Sequence, residues 1–479
     1  MWIKRIINRL WESPTATSWM SYSTRALSLF IVLPLLLKNF GSAEIALWYL
    51  FSTIIALQGL LDMGFKVTFV RCISFAMAGA TNITDVKISE KSDRLDSPNW
   101  ELVGDIYASM KYVYKYLALI LFVVLSGLGT WSMVKPISFV NDASSAWMAW
   151  LVIICVSTYR LHGTVYANYL EGLNKIALVR RWEAITSICS IISSIIVLIF
   201  VNDLLYLVIA NQAWVAISVI RNAQLSKYVE DRRLVALDGN KAHDKALLAK
   251  IWPTAWKSGL SGFMSNGLNN LTSIAYAQIG DSSSVAAYLL ALRLISQIRE
   301  ISMAPFYSKI PLMSRLRMQE KLTELTQLAQ KGMFLSHLVF VVGVVIIGFG
   351  SNVFLELIDS KIEFVSGNLW LLISLAYFIH RYGAMHMQLY MTTNHVIAHI
   401  ADGISGLIFV VVTAVLLKPL QLYAIPIGMI SGYLGFYSWY SAYYSFKSLR
   451  VNYWKFEART IGLPLVLFLI QLLVQNIKF

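Results

Sequence analysis

Apolar stretches long enough to cross a bilayer follow one another along most of this chain, separated by short polar turns. A spanning helix needs about 20 mostly apolar residues. Segments near 17–38, 43–75, 110–133, 146–170, 182–201, 203–222, 252–278, 283–308, 332–357, 367–392, 396–417 and 421–445 meet that requirement. The pattern predicts an all-α polytopic membrane protein with about twelve transmembrane helices. A further apolar run over 461–475 is short, and reads as an extra span, a half-span or an interfacial helix. The longer polar stretches fall near 79–109, 226–250 and 309–331. Within the last, Arg315 to Leu328 is patterned as an amphipathic helix, expected to lie at the membrane surface.

Composition agrees with this reading. The 479 residues are 57% hydrophobic and 14% charged, against roughly a quarter charged in soluble domains. The net charge of +14 is dispersed over loops and helix ends, so it is no nucleic-acid footprint. Alternate loops carry the basic residues: Lys4, Arg5 and Arg9; Lys175, Arg180 and Arg181; Lys227 to Lys250; Arg315 to Lys331; Lys447 to Arg459. The opposite loops hold Lys38, Lys135, Lys361 and Lys418, a ratio of roughly five to one, which predicts a cytoplasmic N-terminus. No small-residue cleavage site follows the first apolar run, which reads as an uncleaved span. Cys72, Cys155 and Cys189 lie in apolar surroundings without paired spacing and read as core residues. Trp19, Trp48, Trp147, Trp150, Trp256, Trp370 and Trp439 fall mostly near expected interfaces, although stacking on sugar rings would also suit some of them.

The chain carries a weak internal repeat. At an offset of 239 residues Gly41 meets Gly280, Tyr49 meets Tyr288, Leu50 meets Leu289 and Gln58 meets Gln297. Both copies run from a short outer turn into a long helix. The expected organisation is a six-helix half over 1–225, a cytoplasmic linker over 226–250, a second six-helix half over 251–446, and a cytoplasmic segment with an extra apolar helix over 447–479.

The most informative polar positions are bases inside the apolar segments: Arg25, Lys66, Arg160, Lys257, Arg293, Arg299 and Arg381. A charge at the bilayer centre costs roughly 3 kcal/mol or more, so such residues are expected to face a shared interior. Gln58, Asp62 and Lys66 recur at helical spacing as one polar stripe, with Asp62 placed to pair Lys66. Arg293, Gln297 and Glu300 form a similar stripe, from which Arg299 is displaced. Arg71, near a helix end, is expected to snorkel. Interhelical ion pairs would account for any one of these groups. As a set, the bases outnumber the intramembrane acids Asp62, Glu300 and Asp402, which leaves a positive remainder and implies an anionic cargo. His395 and His399 precede Asp402 at helical spacing; a turn beside lipid headgroups suits them as well as a proton or metal site. No metal site or resident cofactor is expected.

The chain has no phosphate-binding Gly-rich loop with Lys-Ser/Thr, no His-Glu-x-x-His and no Asp-x-Asp. An enzyme is therefore not expected, and transport would be driven by an ion gradient (protons or sodium), the membrane potential or the cargo gradient. Two stretches carry a family likeness. Leu60-Leu61-Asp62-Met63-Gly64-Phe65, followed by Arg71, resembles the Leu-Asp-Leu-Gly…Arg signature of polysaccharide flippases. Tyr169-Leu170-Glu171-Gly172-Leu173-Asn174-Lys175 resembles their Leu-Gln-Gly-Leu-x-Lys turn. The chain is thus similar to bacterial O-antigen flippases, within the superfamily of multidrug/oligosaccharidyl-lipid/polysaccharide (MOP) exporters. It departs from them in the additional segment after Arg459.

The resemblance implies a MATE-like pair of six-helix bundles in the bacterial inner membrane, working by alternating access. It implies a cargo of undecaprenyl-pyrophosphate-linked oligosaccharide, contact with membrane lipids, and a polysaccharide polymerase and chain-length regulator as candidate partners. The seven bases would receive the diphosphate, since arginine matches phosphate through paired hydrogen bonds, with Asp62, Gln58, Gln297, Glu300 and Asp402 as polar or coupling candidates. Two other classes compete. A drug exporter of the same superfamily would line its cavity with acids. A membrane polymerase or glycosyltransferase would carry a large external loop, whereas the long loops here are assigned to the cytoplasm.

Overall fold

The computed structural model describes residues 11–12, 14–62, 64–77, 79–81, 83–84, 87–88, 97–234, 244–262, 264, 268–393, 395 and 397–477. The basic N-terminal stretch Met1–Arg9 lies outside them, as does much of the expected 79–109 and 226–250 loops. Apart from a two-residue hairpin pairing Ile83–Thr84 with Lys87–Ile88, the regular structure is helical. Six helices in the described residues are long and apolar enough to cross a membrane.

The chain divides into two compact units, Met1–Gly262 and Phe263–Phe479. The first unit contains α1 (Pro14–Asn39), α2 (Ser42–Leu61), α3 (Phe65–Met77), α4 (Trp100–Ser138), α5 (Ala143–Gly172), α6 (Ile176–Phe200), α7 (Leu204–Tyr228) and α8 (Lys245–Gly262). Here α5 packs against α7 and α4, and α1 against α6. The helix α8, assigned from sequence to the second half, packs against α2, α3 and α4.

The second unit contains α9 (Leu268–Ile279), α10 (Ser282–Tyr307), α11 (Ile310–Met318), α12 (Leu322–Leu357), α13 (Gly367–Met391) and α14 (Ala398–Leu420). It continues through α15 (Ala424–Gly432) and α16 (Ser438–Leu449), joined by a single π-turn, to α17 (Tyr453–Thr460) and α18 (Gly462–Ile477). In this unit α10 packs on α12, α13 on α16, and α14 on α15. A core cluster of Phe306, Met313, Leu325, Met333, Met385, Leu449 and Phe456 ties α10, α11, α12, α13, α16 and α17 together at one end.

The short turns between spans fold for a local reason. Asp142, Asp203 and Asp281 each stand just before a helix and accept hydrogen bonds from its first free N–H groups, at 2.9 Å from Ser145, 2.8 Å from Leu205 and 2.9 Å from Ser284. Such caps satisfy donors that water would otherwise have to reach. The weak repeat has a packing counterpart, since Tyr49 and Leu50 in one copy and Tyr288 and Leu289 in the other are all buried.

Three sequence expectations change. The span expected over 43–75 is two helices, α2 and α3, because the chain turns at Asp62–Gly64, where Gly64 takes a φ of 73°. The polar stripe of Gln58, Asp62 and Lys66 therefore does not run along one continuous helix. The segment from Leu322 to Leu328 is not a surface helix, since it is the first turns of α12, with Leu325 wholly buried. Apolar periodicity continuous with the following span overrode the local charge pattern. The run over 461–475 forms α18, which packs against α12 and α13 and stacks Phe468 on Phe378 at 5.4 Å.

The α14–α15 hairpin closes through Gly428-x-x-x-Gly432. A Cβ on Gly432 would run into the Ser405 carbonyl oxygen, and one on Gly428 into the Thr413 hydroxyl and, at 3.0 Å, the Phe409 carbonyl. Small residues at this spacing let two membrane helices approach closely. Gly432→Ala is expected to cost about 1–3 kcal/mol through overpacking. Gly403→Ala, where nothing lies within 4 Å, is expected to change stability by less than about 0.5 kcal/mol. Thermal unfolding of the detergent-solubilised variants checks this; equal melting temperatures would contradict the close contact.

Candidate functional site

The two motifs that are distant in sequence meet in the first unit. Asp62, in the turn between α2 and α3, accepts a hydrogen bond from the Lys66 backbone N–H at 3.0 Å and from the Tyr114 hydroxyl at 2.6 Å. Tyr114 is fully buried on α4 and in turn accepts from Asn168 Nδ2 on α5 at 2.9 Å. The Lys66 ammonium does not pair with Asp62. It reaches Glu171 Oε1, in the second motif, at 3.1 Å. Arg180 Nη2 lies 3.8 Å from the same oxygen, and its Nη1 is 2.8 Å from Glu183 Oε2, which also accepts from Ser21 Oγ at 3.2 Å. Ser74 Oγ donates to the Gly172 carbonyl at 3.1 Å. A polar ladder thus links α1, α3, α5 and α6. It gives the broken helix an anchor where its backbone ladder stops.

The proposed bases fall into different environments. Lys66 is ion-paired, as above. Arg381 is only 2% exposed, and its guanidinium donates to the backbone carbonyls of Arg299 and Ser302 at 3.0 and 3.1 Å. Those carbonyls lie in the turn before Pro305 in α10, whose missing N–H leaves an acceptor available. Arg381 also lies over the Phe340 ring at 5.3 Å, and Arg299 over the Tyr377 ring at 5.7 Å. Arg160 and Arg293 are exposed on the surfaces of their own units, on α5 and α10. On α10 Arg293 and Glu300 are exposed and Gln297 half-buried, so this stripe keeps one face. Gln58 and Asp402 are buried. The side chains of Arg25, on α1, and Lys257, on α8, lie outside the described residues. Arg71 is exposed.

Sequence reasoning missed two buried polar groups. Arg221, near the end of α7, donates to the Trp182 carbonyl at 3.0 Å and to Thr186 Oγ1 at 3.3 Å. The second joins α13 to α17. His386 Nε2 lies 3.0 Å from Glu457 Oε1, which also accepts from the Tyr382 hydroxyl at 3.0 Å, while Thr460 Oγ1 donates to Oε2 at 2.6 Å. Arg450, in a left-handed conformation with φ 56°, ends α16 and turns the chain back. Asn452 then caps α17 by accepting from the Lys455 N–H. Phe456, Glu457 and Thr460 consequently face inward and are buried. Burial alone would raise the Glu457 carboxyl; the hydrogen bond and charge of His386, with the Thr460 and Tyr382 hydroxyls, outweigh it and hold the group below its usual range. A carboxylate on a short polar helix between two apolar runs was the available signal, and it reads as a solvated charge until its partner on α13 is seen.

No family model matches the chain, and no curated protein matches it. Solved structures do. An inward-facing multidrug resistance MATE family transporter of the MOP superfamily superposes with a TM-score of 0.67 at 11% identity, covering 90% of this chain and 98% of the other. The lipid II flippase MurJ, in an inward closed conformation, gives 0.63 at 12% identity over 97% and 96%. A MOP superfamily transporter from Pyrococcus furiosus, described as having a binding pocket of reverse polarity, gives 0.53 at 12% identity over 94% and 98%. The chain therefore has the MOP-type fold of twelve membrane helices in two six-helix bundles, and is a multi-pass membrane protein.

Two outcomes follow from this geometry. Tyr114→Phe removes the donor to Asp62 and the acceptor for Asn168, and is expected to cost about 1–3 kcal/mol in denaturant unfolding; an unchanged midpoint would deny the network a stabilising role. Because the Glu457 carboxyl is held low, its share of α17 docking is complete above the ordinary glutamate value of 4.5 and is lost as pH falls below it. Limited proteolysis at the α16–α17 turn should accelerate in acid in the wild type, and Glu457→Gln should show fast cleavage at every pH.

Proposed function

We propose that this protein is a flippase for a polyprenyl-diphosphate-linked oligosaccharide, in the MOP fold, in the bacterial inner membrane with its N-terminus in the cytoplasm. The observation that carries the reading is the excess of bases over acids in the membrane helices, together with how the acids are used. Asp62 is occupied by Tyr114 and a backbone N–H, and Lys66 draws its counter-charge from Glu171 at the end of α5. The exposed bases Arg160 and Arg293 are then the first candidates to meet a diphosphate, which carries about two negative charges and accepts paired hydrogen bonds from guanidinium. Arg25, Lys257 and Arg299 are retained as further contributors. Arg381 is assigned to holding α13 on α10, because its donors already serve two carbonyls. A coupling proton or sodium ion supplies the driving force, and a polymerase and chain-length regulator would receive the exported unit.

The likeness to MATE transporters favours one other reading, ion-coupled export of drugs. Cargo charge separates the two. In proteoliposomes, a fluorescent short-chain polyprenyl diphosphate disaccharide is expected to cross with wild-type protein. Arg160→Ala or Arg293→Ala should lower that rate about tenfold or more, the loss of one charge-assisted hydrogen bond, with membrane insertion unchanged. Transport of a lipophilic cation such as ethidium without transport of the diphosphate would establish the drug reading instead. Undiminished glycan transport in both arginine variants would overturn the assignment of the bases.

A further inference from the structure

The His386–Glu457 pair lies apart from every base assigned to the cargo. We propose that it is a proton-binding site of the transporter, reached from a cavity in the second unit. His386 is fully buried, with Nε2 on the Glu457 carboxylate and Nδ1 without a hydrogen-bond partner among the described residues. The ring therefore has one nitrogen committed to an acid and one able to gain a proton. Glu457 and Tyr382 also line a cavity of about 980 Å³, together with Trp439, Tyr443, Lys447 and Tyr453. A buried ion pair that merely fastens two helices has no need of a cavity against its acid. Here the Tyr382 hydroxyl, donating to Glu457 at its edge, gives a protonable path from the cavity to the imidazole.

The chemistry has two states. With imidazole neutral, Nε2–H donates to the carboxylate and the pair carries one negative charge. A proton taken up from water at Nδ1 converts the ring to imidazolium, and the pair becomes neutral overall; no other bond changes. Imidazole is the side chain whose charge changes within the physiological pH range. The groups facing the pair are distributed over every neighbouring element. His337 on α12, also fully buried, stacks against Tyr382 at 6.4 Å. Arg381 on α13 acts electrostatically on His337. Lys447 and Tyr443 on α16, and Tyr453 on α17, border the cavity; on α18 the facing residues Ile461 and Leu465 are apolar. The cationic neighbours Arg381 and Lys447 favour the singly negative state and so keep proton loss accessible.

The role in coupling rests on the transport reading above, whereas the existence of the site does not. The experiment has two arms. In the first, a potentiometric difference titration of purified wild type minus His386→Gln is expected to show about one proton between pH 5 and 8; a flat difference overturns the proposal. In the second, His386→Gln and Glu457→Gln are reconstituted with the same diphosphate disaccharide. Exchange of cargo at equal pH is expected to persist and accumulation driven by a pH gradient to be lost. Driven accumulation that survives in His386→Gln overturns the coupling role. Loss of exchange and accumulation together, in both His386→Gln and His386→Asn, identifies a structural pair and overturns it equally. If the wild type moves no diphosphate cargo, the transport reading fails while the one-proton difference still decides the site.

Discussion

Inside a bilayer an unpaired polar group has no water to turn to, and that constraint arranges most of what is polar in this chain. Each place where the helical hydrogen-bond ladder is interrupted has attracted a side chain. The turn between α2 and α3 is held by Asp62 and Tyr114. The carbonyls ahead of Pro305 in α10 are taken by Arg381. The start of α17 is capped by Asn452. Irregular backbone at membrane depth is tolerated only where protein supplies the missing partner, and here the partners come from helices distant in sequence.

The same constraint separates bases that hold the protein together from those available to a cargo. Arg221 and Arg381 are buried and donate to backbone carbonyls, so each fixes one helix against another without an acid. Such an arrangement keeps its positive charge, which still contributes to the field inside the unit. A lysine could not replace either one equally well, because the planar fork of guanidinium spans two acceptors at once. Lys66, by contrast, sits half-exposed at the end of an ion-paired ladder, where a single ammonium suffices. Position in the fold and choice of base thus agree.

Much of the fold was legible in the sequence because one physical rule, apolar length, dominates a membrane helix. The spans at 146–170, 182–201, 203–222 and 367–392 lie within α5, α6, α7 and α13, and three of the short turns announce themselves by a capping aspartate. The break at Gly64 was not legible, since its neighbours keep the hydropathy of a continuous span and only the φ of one residue differs. Partner identity was less legible still. Helical spacing placed Lys66 near Asp62, but the turn redirected it to Glu171, more than a hundred positions away. Spacing reports which residues share a face, and says nothing of what another helix brings to that face. His386 and Glu457 show this most clearly, because neither is informative until α17 folds back.

That fold-back also sets an order of events. Every helix that α17 and α18 cover is synthesised before them, so α13 must wait in the membrane with His386 and Phe378 uncovered. At roughly 5–20 residues per second, the interval from Met391 to Tyr453 lasts several seconds. During it the second unit exposes an unfilled aromatic seam and a buried imidazole lacking its acid. A late-arriving helix pair of this kind makes the end of translation the moment at which the unit commits to its final packing, and makes any delay there a window for chaperones or quality-control proteases.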